Sequence, residues 1–122
     1  MQKISMLGSG FIGRFYTDSL HGYRNKDRVV SIYSRREESA KKFAEDYKVP
    51  HWTTNMEDSI SHKDVDVVCI SLPNNLHEEA VHLCCKHNKA VICTKPLGRN
   101  AEEAKRMVEA VEKAGIFAGY LE

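Results

Sequence analysis

Lys3-Ile4-Ser5-Met6-Leu7-Gly8-Ser9-Gly10-Phe11-Ile12-Gly13 sets three glycines in the pattern G-x-G-x-x-G directly after a short, mostly apolar run. Each glycine has a steric use. Gly8 permits a tight turn out of a strand. Gly10 lets main chain come close to a bound group where a Cβ would collide, and Gly13 lets the following helix pack against the strand. Ile12, Phe15, Tyr16 and Leu20 recur with helical spacing across residues 11–23. A strand at 3–7, a glycine turn and a helix form the context that gives this otherwise weak motif its meaning. The start of such a helix offers unpaired N–H groups and the positive end of the dipole to a pyrophosphate. Gly8, Ser9, Gly10, Phe11, Ile12 and Gly13 are therefore expected to cradle a dinucleotide. The plainer alternative is a glycine-rich turn with no ligand. No Gly-Lys-Ser/Thr follows, which excludes a P-loop.

Outward from this turn, apolar runs and amphipathic runs alternate. Residues 28–33 carry the β-branched Val29, Val30 and Ile32, and residues 37–47 place Ala40, Phe43, Ala44 and Tyr47 on one helical face. Val49-Pro50 breaks that helix before a weak strand at 51–53 and a short helix at 56–61, capped by Thr54 or Asn55. Residues 65–72 form a nearly continuous apolar run, as expected of a strand buried on both faces. A helix at 76–87 with Ala80, Val81, Leu83 and Cys84 inward is followed by a buried strand at 90–94. Asn100 opens a helix through Lys113, with Glu102 and Glu103 in its first turn and Gly115 at the capping position beyond its end. Residues 116–121 begin a last strand. This order, β-α-β-α-β-α-β-α-β-α-β, predicts an α/β fold: a Rossmann-type doubly wound parallel sheet, three-layer αβα, as a single domain over residues 1–122.

Composition narrows the functional classes. The 122 residues carry a formal net charge of +1, which supplies no field for holding nucleic acid or an anionic membrane. No run approaches the ~20 apolar residues of a membrane helix. Cys69, Cys84, Cys85 and Cys93 include no C-x-x-C pair, and Cys69 and Cys93 lie in apolar runs. They read as reduced thiols of a cytoplasmic protein, with no metal site expected.

The end of the second strand separates the two nicotinamide dinucleotides. A carboxylate there bonds the ribose hydroxyls of NAD and repels a 2′-phosphate. Here Ile32-Tyr33 leads into Ser34-Arg35-Arg36. Guanidinium groups match phosphate geometry, and Ser34 adds a hydroxyl donor, so NADP is expected over NAD, with NAD the second choice. On the alternative reading, Arg35 and Arg36 are a solvated helix start and the adenine only stacks on Arg35.

Together, Gly8–Gly13, Ser34-Arg35, Pro73-Asn74 followed by Leu76-His77-Glu78, and Thr94-Lys95-Pro96-Leu97 are specific as an ordered set. In that order they resemble the N-terminal NAD(P)-binding domain of the glucose–fructose oxidoreductase/inositol dehydrogenase/MocA (Gfo/Idh/MocA) family, from Lys3 to about Gly119. The resemblance implies a Rossmann domain, followed in the family by a sheet domain that forms the substrate pocket and the oligomer interface. It implies hydride transfer between NAD(P) and a sugar or polyol, a small-molecule substrate. It further implies that Ser71, Leu72, Pro73 and Asn74 line the cofactor near its nicotinamide ribose, that His77 lies near the same ribose or the nicotinamide pocket, that Thr94 contacts the nicotinamide end, and that Lys95 points to the reacting oxygen as the catalytic group. The plain alternative for His77, at a helix start after Asn74-Asn75-Leu76, is an exposed or cap-associated residue. Spacing alone favours a surface lysine in a turn before Pro96, and the family pattern reverses that preference. The family commonly has Glu-Lys-Pro where this chain has Thr94-Lys95-Pro96. Thr94 brings no charge to the lysine. The chain is expected to bind cofactor without efficient turnover, as the cofactor domain of a larger oxidoreductase that forms homo-oligomers at full length. The alternative is a stand-alone nucleotide-binding or regulatory module.

Overall fold

A computed structural model describes residues 3–10, 13, 17, 28–72, 76–94 and 101–121. Six strands, β1 (Lys3–Leu7), β2 (Arg28–Tyr33), β3 (His51–Thr53), β4 (Val67–Ile70), β5 (Ala90–Thr94) and β6 (Ala118–Leu121), form one sheet in the order β3-β2-β1-β4-β5-β6. Every pairing is parallel. The helices are α1 (Glu37–Tyr47), α2 (Met56–Ser61), α3 (His77–Lys86) and α4 (Ala101–Ala114). Gly13 and Thr17 are also helical, and the Thr17 hydroxyl donates to the Gly13 carbonyl at 2.8 Å. The remainder of the helix expected at 11–23 and the Asn100 cap lie outside the described residues.

Parallel strands need crossovers, and the crossovers cover both faces of the sheet. On one face Phe43 and Ala44 of α1 pack on Ile4, Met6, Val29, Ile32 and Cys69. On the other, Met56 and Ile60 of α2, Ala80, Val81 and Cys84 of α3 and Met107 of α4 pack on Leu7, Tyr33, Val68, Ile70 and Val91. This is the expected three-layer αβα arrangement. Burying Phe43 completely is worth roughly 2–3 kcal/mol of hydrophobic free energy. Strict alternation fails in β2 because the β1–β2 register shifts between Ile4 and Ser5, passing over Val30. Val29 and Ile32, three apart, thereby share a face.

The helix ends follow local chemistry. Asn55 accepts the Asp58 N–H at 3.1 Å and caps α2. Gly115, at φ 69°, ends α4 with its N–H on Val111 O at 3.0 Å and Glu112 O at 3.2 Å. The ladder of β4 is shorter than the apolar run at 65–72, because Val65 N–H turns back to His62 O at 3.0 Å.

The sheet also holds a polar seam. Ser5, Ser31 and Ser59 are fully buried. Ser5 Oγ and Ser31 Oγ each lie 2.7 Å from Ser59 Oγ, and Ser31 Oγ lies 2.8 Å from His51 Nδ1. A buried hydroxyl without a partner costs about 1–3 kcal/mol, so the chain of bonds is what lets three serines sit between strands and α2. The His51 ring lies against that of His62, centroids 4.6 Å apart. Desolvation first, and His62 second, lower the His51 pKa, against a smaller opposing effect of Asp58. No helix among the described residues is long and apolar enough to cross a membrane.

Candidate functional site

The strand order reverses between β1 and β4, and ligands of such sheets sit at the carboxyl ends of the strands beside that point. The turn leaving β1 lies there, tied into both neighbours. Gly8 N–H donates to Tyr33 O of β2 at 2.8 Å. Ser71 N–H, just beyond β4, donates to Leu7 O at 3.0 Å, and its hydroxyl reaches the same oxygen at 2.8 Å. Gly8 has φ 108°, and a Cβ there would stand 2.8 Å from Ser71 O. A Cβ on Gly13 would collide with the Gly8 carbonyl oxygen and come within 2.9 Å of Ser71 Oγ. These two glycines are therefore required by the fold itself. A Cβ on Gly10 meets nothing within 4 Å among the described residues. The open side of Gly10 leaves room for a bound group against main chain.

From the turn spreads a groove of about 590 Å³, lined by Gly8, Ser9, Gly10, Tyr33, Ser34, Arg35, Arg36, Ser39, Ser71, Leu72 and Leu76. This volume suits a small-molecule or cofactor site. Its first wall is the end of β2 and the start of α1. Ser34 N–H is held by Thr53 O at 3.2 Å, and Ser34 Oγ lies 3.0 Å from Ser9 Oγ. That bond joins the glycine turn to the first wall. Arg35 and Arg36 are exposed, and no carboxylate lines the groove among the described residues. Ser39, in the first turn of α1, was missed from sequence; its four-residue spacing from Arg35 was the available signal. Tyr33 and Leu76 were missed too.

The second wall comes from β4 and the start of α3. Ser71 and Leu72 line it. The resemblance put His77 near the nicotinamide ribose or the nicotinamide pocket, with an exposed or cap-associated residue as the alternative; the structure buries it behind Leu72, 1% exposed and absent from the lining. Its Nε2 lies 2.8 Å from Leu72 O and its Nδ1 3.5 Å from Cys93 Sγ. Thr94 ends β5, paired in register with Leu121 of β6. Phe11, Ile12, Pro73, Asn74 and Lys95 lie outside the described residues.

Away from the groove, Glu78 and Glu57 sit in surface ion pairs. Arg106, with His82 beside it, holds Glu78 down to about 2, and Lys86 and His87 lower Glu57. All four cysteines are free, and burial pushes the Cys69 and Cys93 thiols up to about 12. Such thiols are poor nucleophiles. The chemistry available in the groove is main-chain amides, hydroxyls and guanidinium groups converging on one side of a glycine turn. That donor set suits a polyanion with ribose hydroxyls.

Comparison with known proteins agrees with this geometry. Trans-1,2-dihydrobenzene-1,2-diol dehydrogenase of Bos taurus is 33% identical over 113 residues, which are 92% of this chain and 34% of the relative. The scyllo-inositol 2-dehydrogenase (NADP(+)) of Bacillus subtilis is 28% identical over 116 residues, 95% of this chain and 35% of the relative. A crystal structure of a probable dehydrogenase from Thermotoga maritima superposes with a TM-score of 0.91 at 28% identity, covering 97% of this chain and 35% of that one. The chain spans about a third of the length of the curated relatives it matches. The profile of the Gfo/Idh/MocA group, described as an oxidoreductase family with an NAD-binding Rossmann fold, matches residues 2–120, and the chain belongs to that family.

Proposed function

We propose that the groove holds NADP(H) in preference to NAD(H), and that the chain is the cofactor-binding part of a dehydrogenase acting on a sugar- or polyol-like alcohol or its carbonyl. The bound nicotinamide supplies the hydride chemistry. The glycine turn supports the reading through the open side of Gly10 and the helix that begins beyond it. The observation that carries the NADP preference is the end of β2, where Ser34, Arg35 and Arg36 stand with no lining carboxylate among the described residues. Guanidinium groups bind a 2′-phosphate through charge-assisted hydrogen bonds, each worth about 1.5–3 kcal/mol. If Ser9 donates to Ser34, the Ser34 proton is free to be donated to the ligand. The Bacillus subtilis relative is named for NADP(+).

On the second wall, Ser71 and Leu72, with Pro73 and Asn74 by resemblance, line the nicotinamide ribose. Thr94 ends β5 at the same end of the sheet, and by resemblance Lys95 after it serves the nicotinamide end. There Lys95 would stabilise a developing alkoxide and hold or pass the proton of the reacting oxygen. With Thr94 in place of the family's usual glutamate, this lysine works without an adjacent charge from residue 94. The substrate is a small molecule, bound largely by parts of the protein beyond this groove, so the chain alone turns over slowly or not at all. Calorimetric titration with NADP and NAD tests the cofactor assignment. Tighter binding of NADP is expected; equal or tighter binding of NAD overturns the preference, and no binding of either overturns the site.

A further inference from the structure

The His77 imidazole is 1% exposed, yet it opens α3 at the end of the sheet that bears the groove. Nε2 lies 2.8 Å from Leu72 O, and a carbonyl oxygen only accepts, so Nε2 carries the proton and donates it. Nδ1 faces Cys93 Sγ at 3.5 Å. Burial keeps the Cys93 thiol protonated, with its pKa pushed up to about 12, so S–H is available to that nitrogen. One ring thus links three elements: Leu72 beyond β4, Cys93 next to the end of β5, and the first turn of α3. Leu72 is also part of the groove lining. The residues on either side of the link, Ser71-Leu72 and Thr94-Lys95, are those the proposed function uses.

We propose that His77 is a positioning residue of the dinucleotide groove: it fixes the Leu72 carbonyl and ties the ends of β4 and β5 together, setting the second wall without itself touching the cofactor. This rests on the reading that the groove takes a nicotinamide dinucleotide. An apolar side chain of similar size would fill the space and leave the Leu72 carbonyl without this donor. A glutamine places an N–H near the position of Nε2 and can restore it. The role is thus separable from packing.

The test compares the parent chain with His77→Gln and His77→Leu through NADP titration, thermal melting and the backbone carbonyl ¹³C shift of Leu72 without ligand. Both variants should melt below the parent. His77→Gln should keep NADP affinity within about threefold, and His77→Leu should lose about tenfold or more, as expected for an orphaned buried acceptor. The Leu72 shift should stay near the parent value in His77→Gln and move in His77→Leu. Parent affinity and an unmoved Leu72 shift in His77→Leu would overturn the proposal, as would equal losses in the two variants. The ¹⁵N spectrum of the parent histidines adds a check free of folding effects: His77 should be protonated at Nε2, and a ring protonated only at Nδ1 overturns the assignment. If the parent binds neither dinucleotide, the functional reading falls, and the Leu72 shift and the tautomer still decide the role of His77.

Discussion

The two walls of the groove are built on opposite plans. The wall at β2 and α1 presents side chains outward: Arg35 and Arg36 are exposed, and Ser34 reaches across to Ser9 at 3.0 Å. The wall at β4 and α3 presents Ser71 and Leu72, while the residue that braces it, His77, is buried behind. On the proposed function, the first wall selects by charge and the second by main-chain shape. A single substitution on the first should change which ligand binds, whereas one on the second should change how well any ligand binds. The glycine turn belongs to both, because Gly8 bonds Tyr33 on one side and Ser71 hydrogen-bonds Leu7 on the other.

The largest effect is expected at Gly13, where the turn packs on itself and on Ser71 of the second wall. Gly13→Val drives a branched side chain into the Gly8 carbonyl and the Ser71 hydroxyl. Overpacking of this kind costs on the order of 3 kcal/mol, enough to lower the melting temperature by roughly 12 °C or more in a domain of this size. Gly10→Val should do the reverse, since its Cβ meets nothing within 4 Å among the described residues. Melting should stay within about 2 °C of the parent, while NADP affinity falls more than about tenfold in a titration. Arg35→Ala sharpens the contrast within one wall. NADP binding should weaken about tenfold and NAD binding by less than about twofold, because only the former loses a phosphate contact.

The smallest effect lies outside both walls, in the serine seam. The folded pKa of His51 is below its unfolded value near 6.5, so the unfolded chain binds more protons as pH falls through that range. Its contribution to stability is therefore present above pH 6.5 and is lost on acidification from there toward the lower, folded pKa. His51→Asn keeps an acceptor for Ser31 and removes the titration, and should flatten the dependence of melting temperature on pH between about 7 and 5. An unchanged slope would assign the pH dependence to other groups.

The same contrast explains what the sequence revealed. Strand-helix alternation, the G-x-G-x-x-G turn and the missing acid at Ser34 are local signals, and the sheet order, the open Gly10 and the charged wall answer to them. The Asn55 cap and the Gly115 stop were legible for the same reason. Ser5, Ser31 and Ser59 were not, since their partners lie 54 and 28 positions apart and only the folded sheet brings them together. The Val30 register shift flips which residues of β2 face α1, and no residue type announces it. His77 was placed near the ligand by the family resemblance alone, with an exposed or capping residue as the plain alternative. Its burial depends on Cys93, 16 residues away, and on a carbonyl that any residue at position 72 would supply.

The most direct test is an amide ¹H–¹⁵N titration of the chain with NADP. Saturable shifts should concentrate at Gly8, Ser9 and Gly10 and spread along residues 34–39. Saturation without movement at those amides, or shifts centred instead on the apolar cavity between α4 and β6 at Val108 and Phe117, would contradict a dinucleotide seated on the glycine turn.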